Sequence, residues 1–153
     1  MAHSKKARRK RLNFFFFTYC AIMIWLLFFR SGGWIEGMTY EEQLRQNVNL
    51  QPFLTIGNFW KVLNRQEFGP TQLHSIINLG GNIFLFIPFG VFLPKLYPKQ
   101  RNFFRFISVC LGVMFLVEVL QLFTLLGYFD VDDLILNLFG MTLGFIGYHI
   151  FRK

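Results

Sequence analysis

The chain has 153 residues, of which 54% are hydrophobic and 20% aromatic, including 22 Phe. A soluble core of this size does not need so much apolar mass, whereas each membrane-spanning helix needs about 20 apolar residues. The formal net charge of +8 does not indicate a nucleic-acid partner, because the basic residues flank apolar runs instead of forming a stripe, and they fit attraction to lipid headgroups better.

The first predicted element is a membrane span over residues 12–29, preceded by a basic tail over residues 1–11. Six Lys and Arg in that tail keep this end in the cytoplasm under the positive-inside rule. A cleaved signal peptide is the competing interpretation. The apolar stretch is long for one, however, and Phe28, Phe29 and Arg30 stand where cleavage requires small residues. We therefore expect an uncleaved anchor.

A long loop over residues 30–75 follows, and it is predicted to contain two short helices. Thr39 and Glu42 have the spacing of a capping box, which predicts a helix that runs to about Gln46. The segment 52–63 is mostly apolar and carries adjacent aromatic residues beside a lysine, a pattern typical of a helix in the membrane interface. The loop either contributes to a site or only covers the helices.

Three further spans are predicted, over residues 76–93, 106–126 and 133–151. Pro94 and Pro98 mark the connection between the first two of these, and a tight turn over residues 127–132 joins the last two. The sequence therefore predicts an all-α membrane protein with four transmembrane helices, in which residues 12–153 form a single domain.

Charged residues segregate between the two ends of these spans. Twelve of the sixteen Lys and Arg lie on one side: six in the tail, four between the second and third spans, and two at the C-terminus. The eight acidic residues all fall towards the other side, and they are Glu36, Glu41, Glu42, Glu67, Glu118, Asp130, Asp132 and Asp133. The positive-inside rule then places both termini in the cytoplasm and the loops over 30–75 and 127–132 outside.

Polar residues recur at helical spacing in the outer half of the last three spans. Each span contributes one pair separated by three or four residues, so both members of a pair lie on one helix face. The pairs are Asn78 with Asn82, Glu118 with Gln121, and Asp133 with Asn137. Because polar groups facing lipid are unfavourable, we expect these faces to meet inside the bundle.

The polar face of the fourth span continues into a row of glycines, Gly140, Gly144 and Gly147. Gly140 and Gly144 form a GxxxG pair, which allows two helices to approach closely in a membrane. This continuity predicts that the whole face packs against other helices.

Glu118 is the strongest candidate for a functional residue. No Lys or Arg lies at its predicted depth, so desolvation favours the neutral acid unless Arg45 reaches it from the loop. It would otherwise bond Asn82 or Asn137. One interpretation is a satisfied polar network that fixes the register of the helices. The other is a polar pocket open to the outside, since a buried membrane carboxylate generally indicates a site.

No cofactor or metal is expected. Cys20 and Cys110 lie inside apolar runs, which argues against a disulfide framework and a zinc site. His74 and the acidic residues could form a cation site, but the acidic run after the third span lacks the later ligands of a calcium loop. We instead expect Asp132 or Asp133 to cap the fourth helix.

Four segments together resemble VanZ-like membrane proteins. Residues 78–90 (NLGGNIFLFIPFG), followed by Leu93 and Pro94, are similar to the family signature, and residues 118–121 to its ExxQ element. Residues 130–137 (DVDDLILN) resemble its third block, and residues 49–53 (NLQPF) an NLxPF element. The resemblance covers about residues 45–153 in the same order. Two departures are the arginine before NLxPF, which is shifted to Arg45, and Met141, where a smaller residue is common.

The resemblance implies a multi-pass protein of the bacterial cell envelope. The family takes its name from a member linked to reduced susceptibility to the glycopeptide antibiotic teicoplanin. No settled biochemical activity, and no resistance phenotype of this chain, is implied.

Three functions follow as hypotheses. The leading one is a pocket, lined by the six paired residues and Arg45, that binds an amphiphilic envelope component such as a lipid-linked wall precursor, a lipoteichoic-acid lipid or a lipoglycopeptide. The second is an enzyme acting on such a lipid with Glu118 as general acid or base. The third is a transporter or structural subunit, which would require a homo-oligomer because four short spans leave little room for a path.

Overall fold

The computed structural model describes residues 2–29, 35–64 and 69–152, apart from the side chains of residues 2–5, 63, 71–72 and 74–75. Four residues that contribute to the predicted charge asymmetry lie outside the described residues, namely Arg30, Arg65, Glu67 and Lys153. The side chain of His74, considered above as a metal ligand, is likewise not among those described.

The described residues form seven α-helices, two strands of two residues each and one 3₁₀ turn. In chain order they are α1 (Ala2–Phe29), α2 (Tyr40–Gln46), β1 (Val48–Asn49), α3 (Leu54–Leu63), α4 (Pro70–Phe84), α5 (Ile87–Leu96), the 3₁₀ turn (Pro98–Arg101), α6 (Phe103–Thr124), β2 (Phe129–Asp130) and α7 (Val131–Phe151). Four helical stretches are long and apolar enough to cross a membrane: Lys6–Phe29, Ile76–Leu96, Phe103–Thr124 and Val131–Phe151. The predicted all-α class with four such spans is confirmed.

Helix ends differ from the predicted boundaries where a cap or a charged segment decides them. The basic segment before the first span belongs to α1, which begins at Ala2. The helix α6 begins at Phe103, because the side chain of Asn102 accepts a hydrogen bond from the Arg105 backbone N–H at 3.2 Å. The helix α7 begins at Val131, two residues before the predicted start.

The second span is interrupted, and Pro88 explains where. Proline has no N–H and its ring crowds the preceding turn, so the carbonyl of Phe84 cannot receive a helical hydrogen bond from position 88. The helix α4 accordingly ends at Phe84 and α5 begins at Ile87. The hydroxyl of Tyr19 in α1 donates to the carbonyl oxygen of Leu85 at 2.6 Å. A side chain from a neighbouring helix thus bonds the backbone of the break, as membrane helices require.

Removing that hydroxyl should weaken the contact between α1 and the break. For Tyr19→Phe we expect a loss of about 1 kcal/mol in unfolding free energy, the usual net value of one hydrogen bond. The measurement is reversible unfolding in mild detergent, with Tyr148→Phe as the control, because no hydrogen bond of the Tyr148 hydroxyl is found among the described residues. An equal loss of unfolding free energy in both variants would contradict a stabilising hydrogen bond between Tyr19 and Leu85.

The helix α7 occupies the centre of the bundle, packing against α4, α5 and α6. The glycines of α7 allow the backbones of the neighbouring helices to approach it closely. A Cβ on Gly140 would overlap the carbonyl oxygen of Ile83, and a Cβ on Gly144 would overlap that of Ile87. The contact is reciprocal, since a Cβ on Gly90 of α5 would overlap the backbone of α7. The predicted close packing is confirmed for Gly140 and Gly144.

The prediction is wrong for the third glycine of the row. Apart from the nearby backbone of α7 itself, no described atom lies within 4 Å of the position that a Cβ on Gly147 would take. Packing with α5 is closest around Gly144, and one turn further on the two helices no longer touch at this face. Apolar packing continues beside it, where the rings of Phe106 and Phe145 stand 4.5 Å apart and Phe106 is completely buried.

The two ends of the bundle have different character. We call the end that carries α2, β1, α3 and residues 125–130 the loop end. The opposite end, with the start of α1, residues 95–105 and the end of α7, is the basic end. Which end faces the cytoplasm is a prediction from the charges alone, with the basic end inside.

Short elements at the loop end are tied together by backbone and side-chain hydrogen bonds. The capping box is present at the start of α2: the Thr39 hydroxyl accepts from the Glu42 N–H at 3.3 Å, and the Glu42 carboxylate accepts from the Thr39 N–H at 2.8 Å. That bond to the Thr39 N–H lowers the pKa of Glu42 from its ordinary value. The strands β1 and β2 pair in parallel, Val48 beside Phe129 and Asn49 beside Asp130. The pairing holds the loop against the turn between α6 and α7.

Candidate functional site

A cavity of about 560 Å³ lies at the loop end, between α1, α4, α6 and the start of α7. One part of its wall is apolar and consists of Met23, Leu26, Leu27, Ile77, Leu85 and Phe86. The polar part consists of Thr55, Asn78, Asn82, Gln121, Tyr128, Asp130 and Asp133, with Gly127 beside them. The cavity therefore has the composition of a site for an amphiphilic molecule.

The structure places the seven predicted site residues in three different settings. Asn78, Asn82, Gln121 and Asp133 line the cavity. Glu118 and Asn137 are buried, 3% and 2% exposed, and do not belong to the lining. Arg45 is exposed on α2 and does not line the cavity either. Three separate helices thus bring polar residues to one place, although not all of them reach the cavity.

Two of the lining amides each donate one hydrogen bond to a neighbouring helix. The side chain of Asn82 donates to the carboxylate of Asp133, which joins α4 to α7. The side chain of Gln121 donates to the carbonyl oxygen of Leu27 at 2.8 Å, which joins α6 to the end of α1. Each amide has two N–H bonds, so each keeps its acceptor oxygen and a second N–H. Together with the carboxyl groups of Asp130 and Asp133, these oxygens make the polar wall rich in acceptors.

Asp130 holds the polar wall to the loop, a role that the sequence did not reveal. Its carboxylate accepts hydrogen bonds from Thr55 at 2.7 Å and from Asn49 at 3.3 Å. It also accepts from the backbone N–H of Asp132 at 2.8 Å, which makes Asp130 the N-cap of α7. The expectation that Asp132 or Asp133 caps this helix is wrong, because the extended backbone of β2 places Asp130 at the cap position instead.

Asp132 caps a different helix. Its side chain is completely buried and accepts from the backbone N–H groups of Phe53 at 2.6 Å and Ile56 at 3.0 Å. These donors lie at the start of α3, where Phe53 adopts a left-handed conformation with φ 63° and offers no cap of its own. The carboxylate therefore completes the N-terminus of α3 from across the fold.

Glu118 also bonds the backbone rather than a side chain. Its carboxyl oxygen accepts from the Asp130 N–H at 3.3 Å, not from Asn82, Asn137 or Arg45 as expected from the sequence. Glu118 thus supports the entry into α7 from behind the cavity wall.

Asn137 leaves one polar atom without a partner. Its Oδ1 is buried, and it accepts no hydrogen bond from the described residues.

For metal ligands, no group of three or more His, Cys, Asp or Glu within the described part of the chain has a suitable arrangement.

Comparison with known proteins supports the resemblance noted in the sequence. The chain is 27% identical over 135 residues to Protein VanZ from Enterococcus faecium, an alignment that covers 88% of this chain and 71% of that protein. No solved structure matches the chain. The family model VanZ/LLP1 matches residues 16–152, which include part of the first membrane-length helix, all of the other three and every residue of the cavity wall. The chain therefore belongs to the VanZ/LLP1 family.

Proposed function

We propose that this protein binds the polar head of an amphiphilic cell-envelope molecule in the cavity at the loop end. It would lie in the bacterial cell membrane with both termini in the cytoplasm, so that the cavity opens towards the outer face. Four membrane-length helices and the family support a membrane location. The twelve basic residues collected at the other end support the orientation.

The observation that carries the proposal is the division of the cavity into an acceptor-rich and an apolar wall. Asp130 and Asp133 bring two carboxyl groups to the polar wall, and none of the Lys and Arg that the structure describes belongs to it. Groups that donate hydrogen bonds, such as sugar hydroxyls, amide N–H groups and ammonium, suit this wall, whereas a phosphate would be repelled. Of the envelope molecules considered, the sugar or peptide part of a wall precursor or lipoglycopeptide fits best.

The apolar wall suits the hydrocarbon part of the same molecule. It is formed largely by α1 and by the break between α4 and α5, with Met23, Leu27 and Phe86 among its residues. Apolar side chains accommodate acyl carbons without burying unpaired polar groups, so this wall fits lipid-linked forms of a sugar better than water-soluble forms.

An enzymatic role receives less support. A general acid or base must come within hydrogen-bond reach of the substrate. Glu118, the catalytic candidate, is 3% exposed, bonds the Asp130 backbone and does not line the cavity. The binding function needs no such contact, and binding is therefore the function that we favour.

Narrowing the cavity without touching its hydrogen bonds tests the proposal. Ile77 lines the cavity and is 54% exposed, whereas its neighbour Ile76 is 43% exposed and does not line it. We expect Ile77→Trp to reduce by at least about tenfold the polar lipids that co-purify with the protein, because an indole fills space that the ligand needs. Ile76→Trp should leave them unchanged.

The measurement is quantitative lipid mass spectrometry on protein purified in mild detergent, with the amount of folded protein as reference. If the two tryptophan variants and the parent protein carry the same lipids, the cavity is not the binding site. In cells with a teicoplanin phenotype from the parent protein, Ile77→Trp should abolish it and Ile76→Trp should retain it.

A further inference from the structure

Two adjoining cavities lie at the basic end, far from the site described above. They have volumes of about 450 and 380 Å³ and share Arg9, Leu96 and Pro98 as lining residues. Between them they also collect Arg8, Lys95 and Lys99. The start of α1 and the end of α5 therefore enclose a groove with four cationic side chains.

No acidic side chain among the described residues is available to neutralise this groove. Residues 1–35 and 68–117 contain no Asp or Glu, and the seven acidic residues that the structure describes lie at the other end or in its approach. Four like charges around one groove repel each other, so a negatively charged partner would be bound favourably. Within the described residues the groove has no counter-charge, so we expect another molecule to supply it.

A buried polar atom in the same groove indicates a specific binding site in addition to diffuse electrostatic attraction. Gln100 lines the larger cavity, and its side-chain Oε1 is buried without a hydrogen-bond partner among the described residues. A buried amide oxygen in that state is unfavourable until a donor such as a hydroxyl reaches it. Rotated by 180°, the same amide would instead donate to a phosphate oxygen.

The apolar part of the groove points to the source of the anion. Leu93 and Leu96 of α5 and Leu12 of α1 line it beside the cations. Leu12 also marks where the apolar part of α1 begins, so the groove lies where the basic segment meets the hydrocarbon-spanning segment. A lipid headgroup at this level can place its phosphate among the cations and its first acyl carbons on the leucines.

We propose that the basic end binds the phosphate of an anionic phospholipid headgroup in the groove between α1 and α5. The bound headgroup would join the two helices, since Arg8 and Arg9 come from α1 and Lys95 from α5. This site is independent of the proposed function at the loop end, and neither result depends on the other.

Binding is tested on the purified full chain in non-ionic detergent, with phosphatidylglycerol, phosphatidylcholine and inorganic phosphate as probes at equal ionic strength. Native mass spectrometry counts bound lipid, and thermal unfolding measures the stabilisation. We expect Arg9→Gln combined with Lys95→Gln to weaken phosphatidylglycerol binding by about tenfold or more, as expected for two cations near a headgroup. Arg11→Gln combined with Arg105→Gln removes two exposed charges at the same end that line neither cavity, and it should change binding less than about twofold.

A variant that changes no charge distinguishes a specific binding site from general electrostatic attraction. Gln100→Leu keeps every charge and removes a polar atom that has no partner, so the lipid-free protein should unfold at the same temperature or higher. Its stabilisation by phosphatidylglycerol should nevertheless fall several-fold. Unchanged stabilisation in Gln100→Leu, or equal losses in the two double variants, would show that only diffuse surface charge is involved and would overturn the proposal.

The remaining probes distinguish the sources of the phosphate. Binding of phosphatidylglycerol without binding of inorganic phosphate identifies a lipid site. If inorganic phosphate stabilises the protein as well as the lipid does, and with the same sensitivity to Gln100→Leu, the phosphate group alone is the ligand. Equal binding of phosphatidylcholine and phosphatidylglycerol would contradict an anion site.

Discussion

Gly144→Leu is expected to remove most of the folded protein from the membrane. A Cβ at this position would overlap the carbonyl oxygen of Ile87 and lie 3.0 Å from the Cα of Gly90. Both are backbone atoms of α5, so no rotamer change can relieve the overlap and the helices must separate. Overpacking of a core costs about 1–3 kcal/mol when side chains can adjust, and more when the backbone must move.

The same helix provides a matched control. Gly147→Leu makes the identical change three residues further on, where no described atom outside the nearby backbone of α7 lies within 4 Å of the added Cβ. We expect it to be folded at the level of the parent protein, as measured by size-exclusion profiles of a fluorescent fusion in detergent. Comparable losses of folded protein in Gly144→Leu and Gly147→Leu would mean that glycine is needed in α7 for a reason other than its packing against α5.

Asp132→Ala is expected to release α3 from the bundle. The buried carboxylate bonds the N–H groups of Phe53 and Ile56, and both donors lose their partner when it is removed. Hydrogen bonds to a charged group contribute about 1.5–3 kcal/mol each, so the loss should be about 3–6 kcal/mol, a large share of a typical stability. Faster proteolysis within residues 54–63 and a lower unfolding temperature would report it.

Two further variants test whether the lost hydrogen bonds cause this loss of stability. Asp132→Asn keeps one oxygen and places an N–H₂ group against the second backbone donor. We therefore expect a measurable loss of unfolding free energy, at least intermediate between the parent protein and Asp132→Ala. Glu41→Ala removes an exposed acid from the first turn of α2 and should change stability by no more than about 1 kcal/mol. A stable Asp132→Ala protein with intact α3 would refute the cross-fold cap.

Several features of the fold were predictable because they depend on local sequence. A membrane helix must satisfy its own backbone and needs a minimum apolar length, so hydropathy alone located four spans. The capping box of Thr39 and Glu42 depends on residues three apart, and the sequence predicted it for the same reason. The spacing of Asn78, Asn82 and Asp133 placed them on faces that lipid would not tolerate, and all three line one cavity.

Other features escaped prediction because their partners are distant in the chain. The importance of Gly90 follows only from the packing of α7 against α5, which hydropathy does not reveal. The break at Pro88 was not predicted, and the donation from Tyr19 to Leu85 depends on how α1 docks. Glu118 was recognised as buried and polar, yet its partner is a backbone N–H beyond the next turn.

Local sequence was sufficient to predict which segments are helical and apolar, where their charges collect, and which faces carry polar groups, since these properties depend on neighbours within one or two helical turns. The choice of partner for each buried polar group depends instead on how the helices pack. Asp132 bonds Phe53 from 79 positions away, and Asp130 bonds Thr55 from 75. Many partners could satisfy a carboxylate equally well in chemical terms, and the packing of α7 against α4, α5 and α6 selects which of them comes within reach.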